Sequence, residues 1–326
     1  MTRRKDLLQI RSLSRDEIEF VLSNARTFKE VFNRRVKKVP TLRGRHVLTL
    51  FYEPSTRTRS SFEVAASRLS ADVTNFSVST SSVVKGESIL DTVETLEAMQ
   101  VDYLIVRHGA SGVPNLIARH TKASVINAGD GWHAHPTQAL LDAFTLREIW
   151  PDLTGKRVLI AGDILHSRVA RSTSTILHKL GAVVGVLGPG TLVPDTRWDW
   201  LQAFRTFDEA LAWNPEVIYL LRVQSERLER DPFFPSLGEY HRYYGVTDER
   251  FRRLADAGIY VMHPGPVNRG VELVDAVMTY DRSLINEQVE NGIAVRMSCL
   301  YWLRPASAAG EELAAPPAPP DHFPPG

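Results

Sequence analysis

Cysteine, charge of one sign and long apolar runs are all scarce in this sequence, and each scarcity removes a class of protein. A single cysteine, Cys299, in 326 residues leaves no internal disulfide to form and fits a reducing compartment. It falls in a helical apolar pattern, where a thiol serves as a small hydrophobe rather than a nucleophile. No apolar stretch approaches the roughly 20 residues that a membrane span requires. The basic first five residues are followed by Asp6-Leu7-Leu8-Gln9-Ile10-Arg11, which lacks the apolar core of a signal peptide. With 39 Lys and Arg against 38 Asp and Glu the net charge is only +1, so no basic field exists to collect nucleic acid or a membrane surface. A cytoplasmic protein without nucleic-acid or membrane partners is expected. The glycines of a dinucleotide fingerprint are missing too. After the apolar run at residues 158–161 only Gly162 stands where G-x-G-x-x-G requires three close backbone approaches.

What is present is the composition of a globular protein, 43% hydrophobic and 24% charged, in a chain long enough for two domains. Apolar strand-like runs at residues 46–52, 73–78, 101–106 and 124–127 alternate with helical stripes such as Phe62, Ala65, Ala66 and Leu69, or Ile89, Val93, Leu96 and Met99. Before them, Ser14 caps a helix over 14–32. A second series begins at Lys156, with strands at 158–161, 183–187 and 216–221 and helices up to Leu180 and over 198–212. Short connections between alternating elements predict an α/β fold of two domains, each a parallel β-sheet flanked by helices. The expected limits are 1–138 for the first domain and 139–284 for the second, with a helix over 285–305. The proline-rich stretch 306–326 reads as a disordered tail.

The chemically richest stretch is Ser55-Thr56-Arg57-Thr58-Arg59, where the first strand runs into a helix. Ser55 or Thr56 is the natural N-cap. Unpaired N–H groups and the positive end of the helix dipole point the same way there and favour an anion. The hydroxyls of Ser55, Thr56 and Thr58 and the planar fork of Arg57 suit phosphate oxygens. A solvated first turn is the plainer reading of Ser-Thr-Arg. Five consecutive donor side chains at the carboxyl end of a strand argue for the phosphate socket. Arg107 emerges at the end of another strand. The loop Trp132-His133-Ala134-His135-Pro136-Thr137-Gln138 carries two histidines, but no third ligand stands at a metal-binding spacing, so no metal is expected.

Ser55-Thr56-Arg57-Thr58 resembles the carbamoyl-phosphate signature of the aspartate and ornithine carbamoyltransferase family. Further motifs follow in the family's order over nearly the whole chain outside the tail. The hydroxyl-rich loop with Ser81 and Lys85 matches one that reaches into a neighbouring subunit's site. His135 and Gln138 match H-P-x-Q, which implies a donor for the carbamoyl oxygen and an acceptor for its NH2. Arg168 matches the arginine of G-D-x-x-x-x-R, which holds a substrate carboxylate. Arg222-Val223-Gln224 resembles the aspartate branch, with Arg222 gripping the side-chain carboxylate and Gln224 orienting it. His263-Pro264-Gly265-Pro266 stands where the ornithine branch has a cysteine-containing motif, and Gly265 and Pro266 carry over as backbone contacts; Arg269, two residues late for an arginine some aspartate enzymes have, carries over without a role.

The resemblance implies a cytoplasmic homotrimer with shared sites and a C-terminal helix returning to the first domain. It implies transfer of a carbamoyl group to L-aspartate in pyrimidine synthesis, without cofactor or covalent nucleophile. Carbamoyl phosphate is expected on Ser55, Thr56, Arg57, Thr58, Arg107, His135, Gln138, Gly265 and Pro266, and aspartate on Lys85, Arg168, Arg222 and Gln224. Arg57, Thr58, Arg107 and His135 are the expected catalytic groups. The domains are expected to close on the substrates. Another amine such as ornithine, or a non-catalytic assembly homologue, is the alternative, and assembly with regulatory or dihydroorotase subunits is left open.

Overall fold

The computed structural model describes residues 4–77, 88–193, 199–223 and 236–303. The chain divides into two compact units, residues 1–144 with 291–326, and residues 145–290.

The first unit opens with α1 (Arg15–Glu30). Its start is closed by a capping box, in which Glu17 N donates to Ser14 Oγ at 3.1 Å and Ser14 N donates to the Glu17 carboxylate at 2.8 Å. Four strands, β1 (His46–Phe51), β2 (Asp72–Ser77), β3 (Tyr103–His108) and β4 (Ser124–Asp130), form a parallel sheet in the order β2-β1-β3-β4. They are joined by α2 (Thr56–Arg68), α3 (Ile89–Ala98) and α4 (Val113–Arg119). Five of the six β1 residues and all seven of β4 are buried. Continuous burial rather than alternation is what a parallel sheet covered on both faces requires. Leu48, Leu50 and Val106 from the sheet pack with Val93, Leu96 and Ile117 from α3 and α4. The strand order reverses between β1 and β3, so a crevice opens beyond their carboxyl ends, where such sheets bind ligands.

The chain leaves this unit along α5 (Pro136–Ile149). The second unit contains β5 (Arg157–Ala161), α6 (Arg168–Lys179), β6 (Val183–Leu187), β7 (Leu201–Phe204), α7 (Phe207–Ala212), β8 (Val217–Leu220), α8 (Leu237–Tyr244), α9 (Asp248–Asp256) and β9 (Tyr260–Met262). Its five parallel strands run in the order β7-β6-β5-β8-β9, and the reversal lies between β5 and β8. The helix expected over 198–212 is instead a strand followed by a short helix. Thr206 and Glu209 form a capping box that starts α7 at Phe207, so the apolar residues before it are released to the sheet edge. There Leu201 pairs with Val184 and Phe204 with Leu187.

The last helix, α10 (Ile285–Trp302), returns to the first unit, as the resemblance implies. Ser298 Oγ donates to the Val21 carbonyl of α1 at 2.7 Å, and Phe28 meets Tyr301 edge to face at 5.7 Å. Beyond the helix, the Leu303 carbonyl accepts from the Tyr103 hydroxyl at 3.2 Å. Cys299 is fully buried in α10. Burial pushes its thiol up to about 12, which makes it inert as a nucleophile. The expected tail lies outside the described residues.

Candidate active site

In the first unit the site begins where β1 gives way to α2. Ser55 occupies the N-cap position as expected, but its side chain makes no capping hydrogen bond, and the first turn of α2 has no acid. The first intrahelical bond runs from Arg59 N to the Ser55 carbonyl at 3.1 Å. The helix therefore starts with unsatisfied backbone donors beside two arginines, Arg57 and Arg59, where the dipole alone would favour carboxylates. Thr56 and Arg57 are exposed while Thr58 is only 8% exposed. A cationic, uncapped start is intelligible if an anion completes it.

Arg107 enters from the neighbouring strand, where its backbone pairs with Phe51. Its Nε lies 3.5 Å from Glu53 Oε2 and Nη1 donates to the Ala128 carbonyl at 3.4 Å, so one guanidinium on β3 links the loop after β1 to the end of β4. Next to it, His108 accepts from Ala110 N at 2.8 Å. Burial pushes its imidazole below the ordinary value, against its backbone hydrogen bond and the charges of Glu53 and Asp130.

The third loop is built on Asp130, which is fully buried. Its carboxylate accepts from Gly112 N at 2.7 Å, Asn127 Nδ2 at 2.7 Å and Ala134 N at 3.0 Å, with His133 Nδ1 2.9 Å away. Burial alone would raise this carboxyl; the hydrogen bonds from His133, Gly112 and Asn127 outweigh it and hold the group below its ordinary value. His133 is thus tied to Asp130 rather than poised for a metal. Among the described residues no group of three or more His, Cys, Asp or Glu side chains is placed to hold a metal ion. The loop delivers His135, 4% exposed, whose carbonyl opens α5 by accepting from Gln138 N at 3.1 Å and Ala139 N at 3.2 Å. Gln138 Nε2 donates to Asp142 Oδ1 at 2.9 Å. Ser55 to Thr58, Arg107, His135 and Gln138 thus all lie at or beyond the carboxyl ends of neighbouring parallel strands.

The second unit repeats this plan around β5 and β8. Gly162 follows β5 with φ +138°, and a Cβ there would meet Leu221 Cβ at 2.8 Å, so the close approach of the two strand exits requires glycine. Asp163 closes the turn by accepting from His166 N at 3.0 Å. Ser167 Oγ caps α6 by accepting from Ala170 N at 3.1 Å, and Arg168, 8% exposed, is the first helical residue. Arg222 leaves the end of β8, half-buried. Behind it Glu272, fully buried, accepts from Val223 N at 2.7 Å, Asn268 N at 2.5 Å and Asn268 Nδ2 at 2.8 Å. The Asn268 amide also donates to the Val223 carbonyl at 2.8 Å. This clamp fixes the Arg222 segment to the loop of Gly265 and Pro266. Within that loop Gly265 N donates to His263 Nδ1 at 2.8 Å, which leaves the proton of a neutral imidazole on Nε2, 3.6 Å from Glu272. Arg269 turns away to a surface pair with Asp275 at 2.8 Å, of a kind that contributes little.

Ser81, Lys85 and Gln224 lie outside the described residues. Glu53, Asp130, Asp142, Asn268 and Glu272 are supporting groups that the sequence reading passed over. Only Glu53 carried a signal, as an acid inside a cationic stretch.

Comparison with known proteins matches both halves of this arrangement. Residues 5–148 fit the aspartate/ornithine carbamoyltransferase carbamoyl-P binding domain, and residues 154–303 fit the Asp/Orn binding domain of the same family. The chain is 67% identical over 302 residues to the aspartate carbamoyltransferase catalytic subunit of Akkermansia muciniphila, covering 93% of this chain and 97% of that protein. Aspartate transcarbamoylase of Trypanosoma cruzi in complex with N-(phosphonacetyl)-L-aspartic acid is similar with a TM-score of 0.81 at 27% identity, over 93% of this chain and 96% of that one. The catalytic subunit of M. jannaschii aspartate transcarbamoylase gives 0.80 at 30% identity, over 94% and 100%. With two sheets of matching plan and both domain models accounted for, the chain belongs to the aspartate/ornithine carbamoyltransferase family.

Proposed function

We propose that the protein is an aspartate carbamoyltransferase, which moves the carbamoyl group of carbamoyl phosphate to the amine of L-aspartate, giving N-carbamoyl-L-aspartate and phosphate in pyrimidine biosynthesis. The observation that carries this reading is the uncapped, arginine-bearing start of α2 at the reversal of the first sheet, an arrangement of donors that suits a phosphate. The name of the A. muciniphila relative and the bisubstrate ligand of the T. cruzi enzyme support it.

Ser55, Thr56, Arg57 and Thr58 hold the phosphate, and Gln138 accepts from the carbamoyl NH2. The neutral amine of aspartate attacks the carbonyl carbon, forming the N–C bond and placing charge on the carbonyl oxygen. Thr58, Arg107 and His135 stabilise that oxyanion, each donor worth on the order of 100- to 1000-fold in rate. As the C–O bond to phosphate breaks, the departing phosphate takes the proton of the amine. Orientation and prearranged charge then supply the acceleration without cofactor, metal or covalent nucleophile.

Aspartate is held through Arg168 and Arg222, with Gln224 orienting it and Gly265 and Pro266 offering backbone contacts to carbamoyl phosphate. Ser81 and Lys85 come from a neighbouring subunit of a cytoplasmic homotrimer. The first domain binds carbamoyl phosphate and the second aspartate. Both are needed because the amine must reach the carbonyl carbon.

Colorimetric detection of ureido product tests the reading, with carbamoyl phosphate supplied beside L-aspartate or L-ornithine. Product from aspartate alone is expected. Product from ornithine alone would overturn the assignment of Arg222, and product from neither would overturn the activity.

A further inference from the structure

Gln138 is nearly buried, and one donor of its amide is committed to Asp142 Oδ1 at 2.9 Å. An ionised carboxylate only accepts, so this bond fixes which end of the Gln138 amide faces Asp142. Among the described residues the Gln138 Oε1 accepts no hydrogen bond, which leaves the carbonyl end as an oriented, open acceptor. Asp142 itself is fully buried, one helical turn along α5. A buried carboxylate is costly unless a positive charge compensates it, and the compensating group comes from α10.

Arg296 is 4% exposed. Burial lowers its guanidinium to about 10, and the charge of the Asp142 carboxylate opposes that fall, so it remains a cation at neutral pH. Its Nη1 donates to Ser61 Oγ on α2 at 2.9 Å, and its guanidinium lies 5.1 Å from the centre of the Phe62 ring. Gly292 makes room for it, since a Cβ there would stand 2.5 Å from Arg296 Nη1. The Asp142 carboxylate thus orients the Gln138 amide on α5, while the Arg296 cation, whose charge Asp142 favours, ties α10 to the helix of the phosphate socket through Ser61.

We propose that Asp142 is a positioning residue that sets the site's choice of acyl phosphate: by holding the Gln138 amide with its carbonyl outward, it makes the site select a carbamoyl NH2 over a methyl group. The inference rests on the proposed carbamoyl transfer and adds a determinant of specificity to it. Acetyl phosphate, which carries CH3 where carbamoyl phosphate carries NH2, is the discriminating probe.

The experiment measures the KM of carbamoyl phosphate and the inhibition constant of acetyl phosphate for the full chain, its Asp142→Asn variant, its Gln138→Ala variant and the double variant. The new amide in Asp142→Asn can donate to Gln138 and turn its carbonyl inward. Carbamoyl phosphate is expected to weaken about tenfold, the worth of one well-placed hydrogen bond, while acetyl phosphate is unchanged. The double variant should lose no more selectivity than Gln138→Ala alone. Equal weakening of both acyl phosphates would show a merely structural role and overturn the proposal, as would unchanged selectivity. A parent protein that binds neither compound would overturn the carbamoyl-transfer reading and this inference together. Should Asp142→Asn fail to fold, Asp142→Glu, which moves the carboxylate by one methylene, reads the same ratio with the same expected loss.

Discussion

Two helices in this protein start directly beyond the reversal point of a parallel sheet, and they start differently. In α2 the N-cap hydroxyl of Ser55 is uncommitted, the first turn has no acid, and Arg57 is exposed. In α6 the Ser167 hydroxyl already satisfies Ala170 N, and Arg168 is 8% exposed. The difference matches the anions of the proposed reaction. A phosphate presents oxygens in several directions and can use backbone N–H groups, hydroxyls and an arginine together. A carboxylate is planar and is met by the fork of one guanidinium. So the phosphate helix leaves its backbone donors open, whereas the carboxylate helix closes its own end and offers a side chain. Other helices do close their starts: α1, α3, α7 and α8 all carry full capping boxes, while α4, begun at Gly112, has no side-chain cap and no arginine in its first turn.

The largest expected effect comes from the open helix. Arg57→Ala should lower kcat by about 100- to 1000-fold, measured as ureido product, with an unchanged unfolding midpoint because the side chain is exposed. A variant with full activity would remove Arg57 from the site. Arg168→Ala should raise the KM of aspartate by about 10- to 100-fold, the range of one charge-assisted pair, and leave the KM of carbamoyl phosphate in place. Loss of carbamoyl phosphate affinity in that variant would erase the division between the two helices.

The serines sharpen the contrast in opposite senses. Ser167→Ala removes a cap and should cost about 1 kcal/mol of stability in denaturant unfolding. Ser55→Ala removes none, so it should unfold like the parent and instead weaken carbamoyl phosphate binding by roughly fivefold, within the range of one neutral hydrogen bond.

The smallest effect concerns acid. The folded Asp130 carboxyl lies below its ordinary 3.8, so its contribution to stability is present at neutral pH and is lost as pH falls through the folded value. Asp130→Asn should therefore flatten the dependence of unfolding free energy on pH below about 4. An unchanged slope would deny Asp130 this part.

Much of this plan is legible in the sequence because it depends on local chemistry. Hydroxyls and an arginine at a strand-to-helix junction announce α2, and the strand runs predict the parallel sheets. The supporting shell is not local. Glu272 sits 49 residues from Val223, whose N–H it accepts, and no pattern in Val271-Glu272-Leu273 tells a buried clamp from a surface acid. Asp142 looks like one more polar position on a helix of mixed composition, and the cation whose charge it favours, Arg296, is contributed by a helix distant in the chain. The strand β7 was hidden because four residues beside a capping box, at a sheet edge, share their apolar spacing with a helix. Ser55 was legible as an N-cap by position; that its hydroxyl caps nothing is a matter of three-dimensional geometry.

Which helix meets the phosphate is the central question. Calorimetric titration of carbamoyl phosphate into the Arg57→Ala and Arg168→Ala variants, without aspartate, tests it most directly. The first should lose binding and the second should retain the parent affinity. Retained binding in Arg57→Ala with loss in Arg168→Ala would contradict the assignment of the phosphate to α2.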